Sequence, residues 1–375
     1  MSTTSWPDAA CLLARLHRAQ EAAGTAGVDA LLISPGSDLR YLLGVGGSSY
    51  ERLTCLVVPA DGSPTLVVPK LEWPGYADVP TDDLGVAIAT WVDGDDPYDL
   101  AYRALGAAPR KIAVVDTMPA LHVLGLRTGA PDAEQVLAGP VLRELRMRKD
   151  DAELAALRRA GEAIDRVHAR MGEWLRAGRT EAEVGADIAA AIVAEGHAEA
   201  AFVVVGSGPN GASPHHDVSD RVIGQGEVVV VDIGGSVTEG YYSDSTRTYV
   251  LGAPSEPDVL ATYQVLQRAQ QAAVDVVRPG VTAQTVDDTA RRIIADAGFA
   301  DYFIHRTGHG IGLDVHEEPY IVAGNALPLA PGMTFSVEPG IYQPGRWGAR
   351  IEDIVVVTDH GVASLNNQSH DLVQL

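Results

Sequence analysis

Two segments near the end of the chain alternate apolar and polar positions. Thr334–Ile341 and Ala349–Thr358 are rich in β-formers, and Gln343–Gly348 between them holds Pro344 and Gly345, a turn signal. The pattern predicts a hairpin centred on Gly345, which sets Glu338 opposite Glu352. A second hairpin is predicted upstream. Glu227–Asp232 and Ser243–Val250 read as strands, and Gly234, Gly235 and Gly240 lie between them. Folded on Thr238, it sets Asp232 opposite Asp244. Like charges directly opposite on a hairpin are destabilising. A shared proton or plain solvation would relieve one such pair. Two pairs in one chain are better explained by cations between the acids, and hard oxygen ligands suit a divalent metal.

The first third of the chain alternates short strands and helices. Asp8–Ala26 has helical spacing and ends near Gly27. Ala30–Ile33, Leu53–Pro59, Thr65–Val68, Val86–Thr90 and Ile112–Val115 read as strands, with a hairpin signal at Asp61–Ser63. Asp99–Leu105 and Ala133–Leu137 are expected helices. The sum is a small α/β domain. Its acidic patch of Asp93, Asp95 and Asp96 reads as a solvated loop, and no catalytic cluster is visible in it.

The character changes at Leu142–Lys149, which is basic. Asp150 and Asp151 then open a long helix. Leu154, Leu157, Ile164, Val167, Met171, Trp174 and Leu175 keep helical spacing, with Gly178 as the stop. The domain boundary falls between Gly139 and Lys149, giving domains 1–143 and 144–375. The second domain contains a repeat. Gly178, Thr180, Val184, Ile192 and Gly196 recur as Gly280, Thr282, Val286, Ile294 and Gly298. Thr180 and Thr282 are good N-caps, and Thr180 with Glu183 forms a capping box. Each copy is followed by a segment with His and Gly, then by an acid-bearing hairpin. This order predicts an internal pseudo-two-fold axis, at which carboxylates from both halves meet.

Four carboxylates converging without lysine partners cannot all stay ionised in a buried site. Two divalent ions would keep them charged as ligands. Such a pair clamps a water, lowers its pKa and polarises a carbonyl. His309, in GHGIG, is the best candidate for a nitrogen ligand, because the glycines let backbone approach closely. His316, in VHEEP, suits a group beside the ligands or the substrate. His215 follows Pro214 in a loop and could bind a substrate carbonyl. His216 is left as background.

Composition narrows the partners. The chain has 375 residues, enough for one large or two medium domains, and an ordinary apolar fraction of 46%. A net charge of −22 argues against nucleic acid and anionic membranes. No apolar run approaches membrane-spanning length, and residues 1–10 show no signal-peptide pattern. Cys11 and Cys55 form no metal motif and read as thiols in a reducing compartment. A cytoplasmic protein is expected.

The ordered set Asp232, Asp244, His309, Glu338 and Glu352 resembles the metal ligands of pita-bread metallopeptidases, and within them the Xaa-Pro peptidases, prolidase and aminopeptidase P. The strings are DIGGSVTEGYYSDSTRT, GHGIGLDVHEEP, SVEPGIY and ARIED, and SPGSDLRYLLG at 34–44 is similar to the creatinase-type amino-terminal domain. The resemblance implies a small α/β domain followed by a pita-bread catalytic domain. It implies that Asp232 chelates one metal, that His309 and Glu338 bind the other, and that Asp244 and Glu352 bridge both. Glu338 doubles as acid and base. His215 and His316 stabilise the intermediate and position substrate. Arg350 orients ligands or substrate, or is a plain ion pair, and Tyr342 hydrogen-bonds in the site or packs. Manganese is the first expectation for the metal, with cobalt, zinc or iron also compatible. The implied substrate is a small peptide with proline second, and the implied assembly a homodimer.

One position departs from the family. Proline dipeptidases often carry an arginine soon after the HExP string, to clamp the substrate's terminal carboxylate, and this chain has Tyr320. Cleavage of tripeptides at least as good as of dipeptides is therefore expected, with Arg350 or Arg346 as the fallback cation. Methionine aminopeptidases share the fold but usually lack the upstream domain. A creatinase-like hydrolase of another small amide lacks the full ligand set. A non-catalytic pita-bread binding protein has generally lost its ligands.

Overall fold

The computed structural model describes residues 7–47 and 51–375. Residues 1–6, part of the amino-terminal segment expected to carry no signal peptide, lie outside the described residues. The chain divides into two compact units, Met1–Arg146 and Met147–Leu375. Among the described residues no helix is long and apolar enough to cross a membrane.

The first unit is built on six strands: β1 (Ala30–Ile33), β2 (Cys55–Pro59), β3 (Thr65–Pro69), β4 (Ala87–Trp91), β5 (Lys111–Val114) and β6 (Glu134–Leu137), in the order β4-β3-β2-β1-β5-β6. Helix α1 (Ala9–Thr25) starts at Asp8, whose side chain accepts from the Cys11 amide at 2.8 Å. Further helices are α2 (Ser37–Leu43), α3 (Thr81–Leu84), α4 (Pro97–Arg103), α5 (Ala120–Gly129) and α6 (Gly139–Met147). Residues 133–137, expected as a helix, instead form the edge strand β6, parallel to β5. So short a segment gains too few bonds to nucleate a helix. The ladder of β5 offers it partners at once.

The second unit opens with α7 (Asp151–Ala169), capped by the reciprocal Asp150–Glu153 box. The helix ends well before Gly178. Met171 and Leu175 are nonetheless buried in the same core as Ile164 and Val167. Their apolar spacing therefore reflects a buried short turn, not a continued helix. Helices α8 (Glu181–Ala194), α9 (Val259–Asp275) and α10 (Ala283–Asp296) follow. Thr180 caps α8 and Thr282 caps α10. The repeat extends into backbone pairing: Thr180 bridges Val222 and Thr282 bridges Pro328, both antiparallel. Each copy has its own core. One gathers α7, α8 and the strands near Val229–Ile233; the other gathers α9, α10 and the strands near Phe335–Val357.

The strands of this unit are β7 (Glu199–Ser207), β8 (Val228–Ser236), β9 (Ser245–Val250), β10 (Gly308–Gly310), β11 (Glu317–Ile321), β12 (Thr334–Val337), β13 (Gly340–Gln343), β14 (Trp347–Arg350), β15 (Asp353–Val357), β16 (Val362–Ser364) and β17 (Val373–Gln374). They form a four-stranded sheet β17-β9-β8-β7, a five-stranded sheet β11-β10-β12-β15-β16 and the ribbon β13-β14. This is the mixed α/β, two-half architecture expected of a pita-bread domain.

The late hairpin keeps the predicted register. Gly340 pairs Arg350 and Val337 pairs Asp353, so both ladders are symmetric about Gly345. Each expected strand is broken in two, however, at Glu338-Pro339 and at Ile351-Glu352. Pro339 has no amide hydrogen to give the ladder. The early hairpin differs from expectation. Asp232 pairs Thr246 and Ile233 pairs Ser245, which centres the hairpin on Glu239 rather than Thr238. The turn closes through Gly240, at φ 88°, whose amide donates to the Val237 carbonyl. Asp232 and Asp244 are thus diagonal neighbours on one face, not direct opposites.

Candidate active site

Three structural devices bring the acids and His309 together. The first is close backbone approach. His309 lies on β10, between β11 and β12. A side chain on Gly308 would overlap the Ser336 carbonyl, and one on Gly310 would overlap that of Glu318. Only glycine on both sides lets the strand sit there. The second is the ladder break at Glu338 and Glu352, which frees both side chains from a regular pleat. The third is a cross-link between the halves. The Glu352 amide donates to the Thr246 carbonyl at 3.1 Å, and Thr248 Oγ1 donates to the Arg350 carbonyl at 2.9 Å.

The ligand-type atoms converge on one side of this frame. Asp244, His309 and Glu352 each offer an atom within 4.8 Å of the others. His309 Nε2 lies 3.3 Å from Glu338 Oε1 and 3.6 Å from Asp244 Oδ2. Its Nδ1 sits 3.1 Å from the Gly310 carbonyl, an acceptor. That contact puts the proton on Nδ1 and turns the Nε2 lone pair toward the acids. Ser336 Oγ accepts from the His309 amide at 3.0 Å and donates to Glu338 Oε1 at 3.2 Å, holding both. Asp232 joins through Arg350, at 2.6 Å.

Arg350 is buried and committed to protein. Besides Asp232, it donates to Tyr342 Oη at 2.8 Å, to Thr246 Oγ1 at 3.0 Å and to the Pro214 carbonyl at 3.2 Å. These bonds orient Asp232 from the cavity wall, and the Arg350–Asp232 contact is itself an ion pair, so the geometry is compatible with both expected readings. Tyr342 hydrogen-bonds in the site as well as packing, bridging Arg350 and His305 Nε2. His215 and His316 both line a cavity of about 840 Å³, together with all five expected ligands. The His316 ring packs edge-on against His309, with centroids 4.1 Å apart. His216 is also at the cavity wall, but its Nε2 is tied to Glu181 at 2.8 Å.

The electrostatics of the cluster are those of a site made for cations. Burial pushes the Asp244 carboxyl well above its usual range, and the charges of Glu352, Asp232 and Glu338 push it further. Burial does the same to Glu352, followed by Glu338 and Asp232. Burial raises Glu338 to about 7. Burial, then His316, lowers His309 to about 3, which keeps it a neutral donor. Two carboxylate oxygens, Asp232 Oδ1 and Glu352 Oε1, are buried with no hydrogen-bond partner among the described residues. Leaving such atoms unpaired costs about 1–3 kcal/mol each, more when charged. A divalent ion beside them removes that cost, so the residues present fit one.

Sequence spacing did not single out Thr246, Ser336, His305 or Arg306. Thr246 donates to Glu352 Oε2 at 2.7 Å. Two of these were readable: Thr246 lies two positions from Asp244 and Ser336 two from Glu338, the spacing of one face of an extended chain. His305 and Arg306 lie on a loop, where no periodicity applies.

Comparison with known proteins adds observations of three kinds. The model of metallopeptidase family M24 matches residues 155–359, and that of the creatinase/prolidase N-terminal domain matches residues 15–148. Among curated proteins, the chain is 58% identical over 366 residues to a probable dipeptidase PepE of Mycobacterium tuberculosis, covering 98% of this chain and 97% of that protein. It is 34% identical over 353 residues to an Xaa-Pro dipeptidase of Lactobacillus delbrueckii subsp. lactis, covering 92% and 95%. The crystal structure of dipeptidase PepE from Mycobacterium ulcerans superposes with a TM-score of 0.94 at 61% identity, over 98% of both chains.

Proposed function

Because the chain belongs to metallopeptidase family M24 and carries a creatinase/prolidase N-terminal domain, we propose that it is a dinuclear-metal exopeptidase that hydrolyses the Xaa-Pro bond. The observation that carries this reading is the pair of buried, unpartnered oxygens, Asp232 Oδ1 and Glu352 Oε1, in a cluster with His309 Nε2. Asp232 and Asp244, with His309, Glu338 and Glu352, would hold two divalent ions, manganese before cobalt, zinc or iron. When bound, such ions polarise a carbonyl and lower the pKa of water. Identity to an Xaa-Pro dipeptidase supports the substrate class.

The chain's own residues supply the rest. Arg350 fixes Asp232, and Thr246 fixes Glu352. Glu338, whose Oε1 lies 3.3 Å from His309 Nε2, takes a proton from the attacking water and returns it to the departing nitrogen. That nitrogen is a tertiary amide in an Xaa-Pro bond, so it lacks the hydrogen that ordinary peptide sites bind. His215 and His316, at the cavity wall, stabilise the developing oxyanion. The acidic cluster attracts the substrate's free amine, which favours an exopeptidase. The catalytic domain is taken as residues 144–375. A homodimer in the cytoplasm completes the reading, and light scattering with a monomeric mass and full activity would remove the dimer from it.

The test is hydrolysis of Ala-Pro, Ala-Pro-Ala and Ala-Ala, each with and without added manganese. Metal-dependent cleavage of the proline peptides alone is expected. Ala-Ala cleaved as well as Ala-Pro, or no cleavage with manganese, cobalt, zinc or iron, would overturn the substrate class. Elemental analysis at saturation should give two ions per chain; one or none would overturn the dinuclear centre.

A further inference from the structure

Position 320 holds tyrosine, and the two fallback cations are both occupied. Arg350 is enclosed by Asp232, Tyr342, Thr246 and Pro214. Arg346 is tied to Glu256 and Asp258. A third arginine meets the need. Arg306 lines the cavity, half-buried, and its guanidinium carbon lies 4.4 Å from the centroid of the Tyr320 ring. Among the described residues its guanidinium has no carboxylate partner and makes no hydrogen bond. A cation on the wall of a cavity rich in acids, yet unpaired, is an unspent anion receptor.

Its backbone is held firmly. Asp287 Oδ1 accepts from both the Thr307 amide and Thr307 Oγ1, at 3.0 and 2.8 Å. Arg291 donates to the His305 carbonyl at 2.8 Å. The residue between them therefore starts from a fixed point, and the tyrosine face orients its planar head. Arg306 lies three positions before His309, and its charge is felt at His316 and Glu338.

We propose that Arg306, presented on the Tyr320 ring, binds the free α-carboxylate of a dipeptide substrate and sets a preference for dipeptides. This rests on the Xaa-Pro exopeptidase reading. In a dipeptide the terminal carboxylate carbon is two bonds, about 2.5 Å, from the scissile nitrogen. Its binder must stand close to the reacting centre, as Arg306 does. Arginine suits a carboxylate because its fork makes two parallel charge-assisted bonds. Tyr320 then acts as a platform that holds the cation, not as a weak substitute for one. The expectation that tripeptides are cleaved at least as well as dipeptides is accordingly replaced by a preference for Xaa-Pro dipeptides.

The experiment compares Ala-Pro with Ala-Pro amide, which lacks the carboxylate charge, in metal-loaded wild type and in Arg306→Gln, Arg306→Lys and Tyr320→Leu. Hydrogen bonds to charged groups contribute about 1.5–3 kcal/mol. Arg306→Gln should therefore raise KM for Ala-Pro about 10- to 100-fold while changing KM for the amide less than about 2-fold. Arg306→Lys should recover part of the loss, and Tyr320→Leu should give a smaller loss in the same direction. Equal effects on acid and amide would overturn the assignment. Calorimetry of both ligands with the metal-free full-length chain gives a second readout. Wild type that binds Ala-Pro no more tightly than the amide would also overturn it. Absence of all hydrolysis, with carboxylate-dependent binding retained, would instead sink the exopeptidase reading and leave Arg306 as the carboxylate receptor.

Discussion

The two halves of the catalytic unit solve the same problem differently. In the first half, Asp232 lies within the β8–β9 ladder opposite Thr246, and Asp244 stands just before β9 begins at Ser245, as its diagonal neighbour. In the second, Glu338 and Glu352 stand directly opposite, where the ladder is interrupted. A short acid such as Asp232, paired within the ladder, is placed by the backbone itself. Long acids need room to turn, and the break at Pro339 supplies it. Supporting hydroxyls differ as well. Thr246, from the first half, holds Glu352 of the second, whereas Ser336 holds Glu338 from within its own half. The centre is thus a joint product, and neither half carries a complete set.

The strongest way to break that picture is to remove one acid from each half. Asp244→Asn and Glu352→Gln should each weaken metal binding by more than about 100-fold, beyond the 10–100-fold that outer partners are worth. His316→Ala should retain metal and lose activity. Calorimetric titration, with the fold checked by circular dichroism, decides; equal metal loss in all three would mean the acids do not share the ions. A sharper comparison uses the hydroxyls. Thr246→Val should cost about 10-fold or more in metal affinity, and Ser336→Ala less, because Thr246 spans both halves and also accepts from Arg350.

A third test is pH. Glu338 is raised to about 7, and Asp244 and Glu352 are raised well above their usual range, by burial first in each case. The folded metal-free chain keeps protons that the unfolded chain has already released. Its stability therefore falls as pH rises through those values. Histidines with lowered values, such as His309, act in the opposite sense, and those elsewhere in the fold do so with and without metal. Relative to metal-loaded protein, metal-free protein should lose about 2–4 °C of Tm for each kcal/mol forfeited as pH rises from about 4 through about 7. Metal-free and metal-loaded profiles that run parallel in scanning calorimetry would mean the cluster is not proton-coupled. The smallest effect compares the two caps. Thr180 shares a reciprocal box with Glu183, whereas Thr282 caps with its hydroxyl alone. Thr180→Ala should cost about 1 kcal/mol and Thr282→Ala less, read from denaturant midpoints.

Much of this was legible before any coordinates. The register about Gly345 follows from a tight turn whose residues name its centre. The centre of the early hairpin lies one residue beyond the expected Thr238, a register shift of two, because glycines at 234, 235 and 240 leave the turn's centre ambiguous. The helix expected at Ala133–Leu137 failed because an edge strand was on offer nearby, which local composition does not report. Family membership was readable from DIGGSVTEGYYSDSTRT and GHGIGLDVHEEP together. Arg306 was not, since its meaning depends on the ring it meets fourteen residues later.

The shared symmetry of the ladders on both sides of Glu338 and Glu352 has a consequence for how the chain can change length. A strand has a parity: shifting its register by one residue turns each side chain to the other face. A single insertion in Gln343–Gly348 would slide one arm against the other and part the two glutamates, although the turn is remote from the chemistry in sequence. Lineages of this fold are thereby expected to tolerate substitution at the tip far better than insertion, and to accept added residues only where the extra length is bulged out and both arms keep step.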